Sequence, residues 1–434
     1  MIAEPMTLAT PASDDRSAVA AAGAVPGDGR GWPICQTLLL GAVVASLVLA
    51  GMQPFLGRLS IIPYKYVPLA IALVAWMFHL CTSRSAPGEL IAIVRYYWQV
   101  TVLVAVMFGG FLYAEYARGY EVTFRPHALS LLSFFICCHL GMIAEPARFA
   151  RSYLVMLSLM ALFMFGVAWA FFPQQLIHEN VYLFVPTAVF CGLVARSRGV
   201  RWAAFGFMAL FAVVGLKNTT FILTAVSIYL LAVFNRREVR EGTRPPFRLE
   251  SLVAIGLVAV LGYVALDYIK SINEAFSSGN ADFRNYLYGE TWAKFLASPV
   301  WGDCFSDTPN VQFRLFTVGG QNAQFLPSHS DLLDVLAHGG VIGMALFLAF
   351  LWRVLRDALH GGSEPEVGTV DYAARACLLA IAVAALVSAT FNPVLGNPAN
   401  GFMFWATFGV LAGMRQHRLA AERAAARNER MSHA

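Results

Sequence analysis

Charge is what this sequence has least of. Lys, Arg, Asp and Glu together make up 13% of its 434 residues, against 58% hydrophobic, and mean hydropathy is +0.61. That balance excludes an ordinary soluble domain. Cysteine is sparse and unpatterned. Of Cys35, Cys81, Cys137, Cys138, Cys191, Cys304 and Cys377, only Cys304 falls outside the apolar runs and their ends. There is no CxxC pair and no His/Cys cluster, so neither a disulfide framework nor a zinc site is indicated. No internal repeat is visible. No basic segment precedes a short apolar core near the start, so a cleaved signal peptide is not expected.

What the sequence has instead is apolar runs. Crossing a bilayer takes ~20 apolar residues as a helix, and windows of that kind fall near 36–54, 64–81, 94–114, 126–144, 151–172, 180–196, 200–216, 218–235, 250–269, 340–356, 372–391 and 399–415. The expected fold is therefore an all-α integral membrane protein of about 12 transmembrane helices, with one large external loop bearing short helices. Residues 1–34, rich in Ala, Gly, Pro, Asp and Ser, read as a disordered cytoplasmic tail. Residues 35–269 carry helices one to nine, 270–339 form the loop, 340–416 carry the last three helices, and 417–434 form a basic tail. Placing the N-terminus in the cytoplasm puts 22 of the 31 Lys and Arg on that side and 9 outside, which supports cytoplasmic termini.

A loop this long is usually functional. Within it, Asp282 to Leu296 reads as an amphipathic helix that sets Phe283, Leu287, Phe295 and Leu296 against the membrane interface or the bundle, and Pro299 stops it. Val311 to Phe316 alternates weakly and reads as extended. Ser328-His329-Ser330-Asp331-Leu332 then opens a short helix ending at Gly339-Gly340, with Ser328 expected as its cap. His329 at that helix start is expected to stay neutral and able to accept a proton. Arg284 shares the loop with it. Arg binds phosphate oxygens through a planar fork, so Arg284 is the expected anion contact, with Lys217 in Gly215-Leu216-Lys217-Asn218-Thr219-Thr220 as a second. Arg125, Arg314 and Arg118 remain further external cations, whereas Lys294, Lys270, Arg58 and Lys65 read as snorkelling side chains. Without an Asp-x-Asp pair among the external carboxylates Glu290, Asp303, Asp307, Asp331 and Asp334, no metal is expected. His139, inside an apolar run, reads as a satisfied interior histidine, and His338 is the rival imidazole at the far end of the short helix.

His329-Ser330, nine residues, Gly340, two residues, Gly343 resembles the H-[NSQ]-x9-G-x-x-G pattern of O-antigen ligases and the related O-antigen polymerases. Arg284, Trp292 and Pro299-Val300-Trp301-Gly302 are similar to the stretch that precedes this histidine in the same superfamily. Members often carry a Ser-Arg pair where this chain has Lys217-Asn218, so Lys217 would supply a point charge without the fork. The resemblance implies a multi-pass protein of the bacterial inner membrane with its active site at the periplasmic face. The implied activity is a metal-independent, inverting glycosyltransferase without cofactor. The implied partners are undecaprenyl diphosphate-linked O-antigen as donor, lipid A–core as acceptor, and membrane lipid, with no nucleic acid. His329 would be the general base, Arg284 a catalytic and diphosphate-binding group, Lys217, Arg314 and Arg125 further diphosphate contacts, and Gly340 and Gly343 structural. The alternatives are an O-antigen polymerase, a protein O-oligosaccharyltransferase of the same superfamily and, from a different class, a transporter of lipid-linked sugars.

Overall fold

The computed structural model describes chiefly residues 66–117, 125–143, 280–306, 311–314, 323–326, 328–360, 370–392, 394–396 and 398–432, with scattered positions in 34–49 and 199–229. The expected spans between 151 and 269, and with them Lys217, lie outside these residues, as does most of the span at 36–54. Eight α-helices are described: α1 (Val67–Thr82), α2 (Ala86–Tyr96), α3 (Trp98–Leu112), α4 (Arg125–Ile143), α5 (Asn280–Ala297), α6 (Asp331–His360), α7 (Val370–Phe391) and α8 (Pro398–Ser432). Among the described residues, Trp98–Ala117 and Asp331–Ala358 are long and apolar enough to cross a membrane, and three further apolar helices are shorter.

Local sequence accounts for several boundaries. Pro68 and Pro87 sit in the first turns of α1 and α2, where their missing N–H has no partner to lose. Tyr97, at φ −103° and ψ 46°, separates α2 from α3, so the third span starts later than its hydropathy predicts. A π-helical turn, Tyr113–Ala117, extends α3.

The loop departs from all-α. Val311–Arg314 (β1) and Ala323–Leu326 (β2) pair antiparallel, Val311 opposite Leu326 and Arg314 opposite Ala323. The weak alternation after Asn310 thus marks a real strand, and the described residues are helical apart from one hairpin. At the other end of the chain α8 continues as helix through the basic segment to Ser432.

The core lies where α4 meets α8. A Cβ on Gly409 would approach Phe134 O to 2.7 Å, and one on Gly413 would approach Cys138 O to 2.6 Å, so the two backbones touch. Small residues at such contacts let helices associate where apolar surface alone gives no drive. Around this contact Phe134, Tyr97, Phe350 and Trp405 interlock edge to face or tilted, with Phe134 and Phe350 centroids 4.7 Å apart.

Candidate functional site

The site is built around a break in α6. Gly340, at φ 61° and ψ −167°, interrupts the helix, so the amides that follow it lose their intrahelical acceptors. Val341 N donates instead to Pro299 O (2.9 Å) and Ile342 N to Val300 O (3.3 Å). From the other side, Phe305 N donates to His338 O (3.2 Å). A Cβ on Gly340 would overlap Val300 O, and a Cβ on Gly302, at φ 62°, would overlap His338 O. The Pro299–Gly302 turn and the Gly339-Gly340 break are therefore one interlocked unit. The two motifs that the sequence shows far apart meet here, and the short helix before the break, Asp331–Gly339, is set in place by it.

That short helix carries His329 at its threshold. The cap is Ser330 rather than Ser328: Ser330 Oγ accepts from Leu333 N (3.3 Å). Ser328 takes a different part, its N–H donating to Asp334 Oδ1 (3.3 Å) and its hydroxyl to Ser330 O (2.9 Å). Between them His329 is held at φ 63°, a left-handed conformation unfavourable for a side-chain-bearing residue. Its ring is half-buried. Burial first, and the charge of Arg284 second, hold the imidazole below the pKa of a free histidine. Both effects favour the uncharged ring.

Arg284 projects from α5. Its Nη1 donates to Phe391 O (3.4 Å) at the end of α7, and its Nε is buried without a hydrogen-bond partner. Beside the pair lies a cavity of about 460 Å³, lined by Asn285 and Tyr288 of α5, Ser330, Leu332, Leu333, Leu336 and Met344 of α6, and Thr390 and Phe391 of α7. Its walls are largely apolar, with a few hydroxyl and amide groups, and the immediate neighbours of both His329 and Arg284 form its edge.

Asp331, which the sequence offers only as a candidate carboxylate, holds this arrangement together with two groups it did not single out, the Leu395 amide and His127. Asp331, fully buried, accepts from Leu395 N (2.8 Å) in the α7–α8 turn and faces His127 Nε2 of α4 at 3.4 Å. The same turn receives Arg284 at Phe391. It therefore fixes both the guanidinium and, two residues after the imidazole, the start of α6. Asp331→Ala would leave the Leu395 amide and His127 without this partner. A displacement of about 1 Å costs roughly 10²-fold in rate, so turnover is expected to fall by about that factor, while Asp331→Asn, which keeps an oxygen for Leu395, retains more. Steady-state kinetics of the two variants check this.

The other cations and carboxylates that the sequence reading places outside sort clearly. Lys294, expected to snorkel, instead pairs with Asp303 Oδ2 at 2.8 Å, and His338 Nδ1 meets the same oxygen at 2.6 Å. Burial pushes the Asp303 carboxyl up, but His338 and Lys294 outweigh it and hold it below the usual carboxylate range. His338 is thus committed to Asp303. Glu290 is exposed. Arg125 opens α4 and Arg314 ends β1, and only their backbone is described. Gly343 is buried in α6, and a Cβ there would make ordinary contact with Phe305 at 3.8 Å.

Among the described residues one group of three metal-ligand types converges: His79, Glu89 and His139, within 4.8 Å. It lies roughly 18 Å along α4 from His127, at 1.5 Å per residue, towards the opposite end of the helix from the site. Trp76 Nε1 donates to His139 Nδ1 (3.0 Å), which leaves the proton of a neutral ring on Nε2, 3.2 Å from Glu89 Oε2. His139 is then a donor to Glu89 and has no lone pair for an ion. It is a satisfied interior histidine, as its place in an apolar run indicates.

Residues 183–348 match the family model described as O-Antigen ligase. The matched stretch contains Arg284, the Pro299–Gly302 turn, His329, Gly340 and Gly343, and it ends inside α6. None of the curated proteins compared matches the chain.

Proposed function

We propose, from the match of residues 183–348 to the O-Antigen ligase family model, that the protein transfers a glycan from undecaprenyl diphosphate to a hydroxyl of the lipid A–core at the periplasmic face of the inner membrane. The observation that carries the reading is a half-buried His329 whose pKa burial and the Arg284 charge both lower, beside a cavity lined by the chain neighbours of the two residues, Ser330 and Asn285. A general base must be unprotonated before it acts, and a leaving diphosphate needs a cation.

In the proposed step the acceptor hydroxyl approaches the anomeric carbon of the donor sugar. Its oxygen forms the new C–O bond as its proton passes to the imidazole of His329. The bond from the anomeric carbon to the phosphate oxygen breaks on the opposite face, and its electron pair leaves with undecaprenyl diphosphate. A single displacement inverts the anomeric centre. Arg284, whose buried Nε has a donor to spare, would stabilise the growing negative charge, with Lys217, Arg125 and Arg314 as proposed further contacts. No metal is assigned a part, because the charge on the diphosphate is met by guanidinium and the described carboxylates Asp303, Asp331 and Asp334 are committed to protein partners.

The depressed pKa of His329 has a kinetic consequence. The acid limb of kcat/KM should lie below that of a free histidine, since the base is lost only when pH falls through the lowered value. Arg284→Gln removes the second of the two causes and leaves burial, so the limb should move towards higher pH while the rate falls. A pH–rate series on both proteins checks the direction.

Genetic complementation tests the assignment. A strain without its ligase accumulates lipid-linked polymer unattached to core, and this gene is expected to restore smooth lipopolysaccharide there. Rescue only of a strain that attaches a single repeat unit would instead make it a polymerase.

A further inference from the structure

The segment from Thr291 to Cys304 is turned inside out relative to a loop in water. Its exposed residues are Trp292, Ala293, Leu296, Ala297, Pro299, Val300, Trp301 and Cys304, none of them charged. Leu296 is 60% exposed, Trp301 61% and Trp292 48%. The only charged residues in the same stretch, Lys294 and Asp303, point inward, pair with each other at 2.8 Å, and keep only 18% of each side chain exposed. A loop in water shows the opposite arrangement, because long ionic side chains are almost never buried when solvent is within reach.

The patch has a neighbour that fixes what covers it. Val341 and Ile342, at the start of the apolar length of α6, are themselves exposed and are hydrogen-bonded to Pro299 and Val300. Further along the same helix Leu348 and Trp352 are exposed too. The outward face of the 291–304 segment therefore adjoins the outward face of a helix long and apolar enough to cross a membrane. Charged groups that face the protein and pair there are the rule at lipid-facing surfaces, and Trp is enriched at the boundary between hydrocarbon and headgroups.

We infer that the last two turns of α5, from Thr291, and the Pro299–Gly302 turn are seated in the outer leaflet of the bilayer, with Trp292, Leu296 and Trp301 in contact with lipid. The occupant of this surface is phospholipid rather than a protein partner. The Lys294–Asp303–His338 group is the device that allows it, since it neutralises the segment's charges before they leave water. The seating holds the turn that locks the Gly340 break, and so the whole candidate site, at membrane level. It does not depend on the reaction proposed above, and a protein inactive in glycan transfer would show it equally.

Bromine on lipid acyl chains quenches tryptophan on contact. The full chain is reconstituted in phosphatidylcholine vesicles brominated either near the headgroup or deep in the chain, beside Trp292→Phe, Trp301→Phe and the double variant. The expected result is that shallow bromine quenches a smaller share of the emission in each single variant than in wild type, with the largest loss in the double variant. Iodide in the aqueous phase should quench wild type and variants alike. If instead the shallow-bromine share is unchanged and the iodide-accessible share is lost, these tryptophans face water and the inference is overturned. Each single substitution carries the same test should the double variant not fold.

Discussion

Gly340→Ala is expected to prevent stable folding of the chain, or to lower its stability by roughly 2–5 kcal/mol, adding strain at positive φ to overpacking. Two causes act together. The backbone is at φ 61°, and the new methyl would overlap Val300 O. Relief would require the Pro299–Gly302 turn to move away, which breaks the bonds from Val341 to Pro299 and from Ile342 to Val300. Gly343 provides the contrast. It sits in the same motif, but its Cβ would find Phe305 at 3.8 Å, and in a helix Ala is favoured over Gly by up to about 1 kcal/mol. Gly343→Ala should therefore be tolerated, and the two variants compared by thermal unfolding in detergent should separate widely. Equal behaviour would mean that the break at Gly340 is not what holds the loop.

His329→Ala should reduce glycan transfer by roughly 10²–10⁴-fold, the usual contribution of a positioned base, with donor binding little changed. Loss of folding is not expected, because the ring is only half-buried. The backbone sharpens this prediction. At φ 63° an alanine keeps the left-handed strain, which costs about 1–2 kcal/mol, whereas glycine adopts it freely. His329→Gly should thus be at least as stable as His329→Ala and equally inactive. A merely structural histidine would show activity following stability, with the glycine variant recovering some of it.

Much of this site is legible in the sequence where its geometry is local. The Gly339-Gly340 pair after a short polar-headed helix marks the break, Pro299 marks the end of α5, and Ser-His-Ser-Asp marks a helix start. Even there the choice between Ser328 and Ser330 as cap depends on where the left-handed residue falls, and two serines two apart do not reveal it. What the sequence hides is pairing across long separations. Asp331 meets His127, 204 positions earlier, and Leu395, 64 later; no periodicity links them. Lys294 looked like a snorkelling lysine because its partner Asp303 follows a proline turn that brings it back underneath. The hairpin at 311–326 was half legible: alternation indicates the first strand, but β2 is a four-residue strand with no strong signal of its own.

Transfer measured in vitro with purified lipid-linked glycan, lipid A–core and a chelator tests the central claim most directly. Wild type should convert the donor to glycosylated core under these conditions, and His329→Ala, folded and still binding donor, should do so at least about 10²-fold more slowly. Turnover by the alanine variant at the wild-type rate would contradict a base at His329, and with it the chemistry assigned to this site.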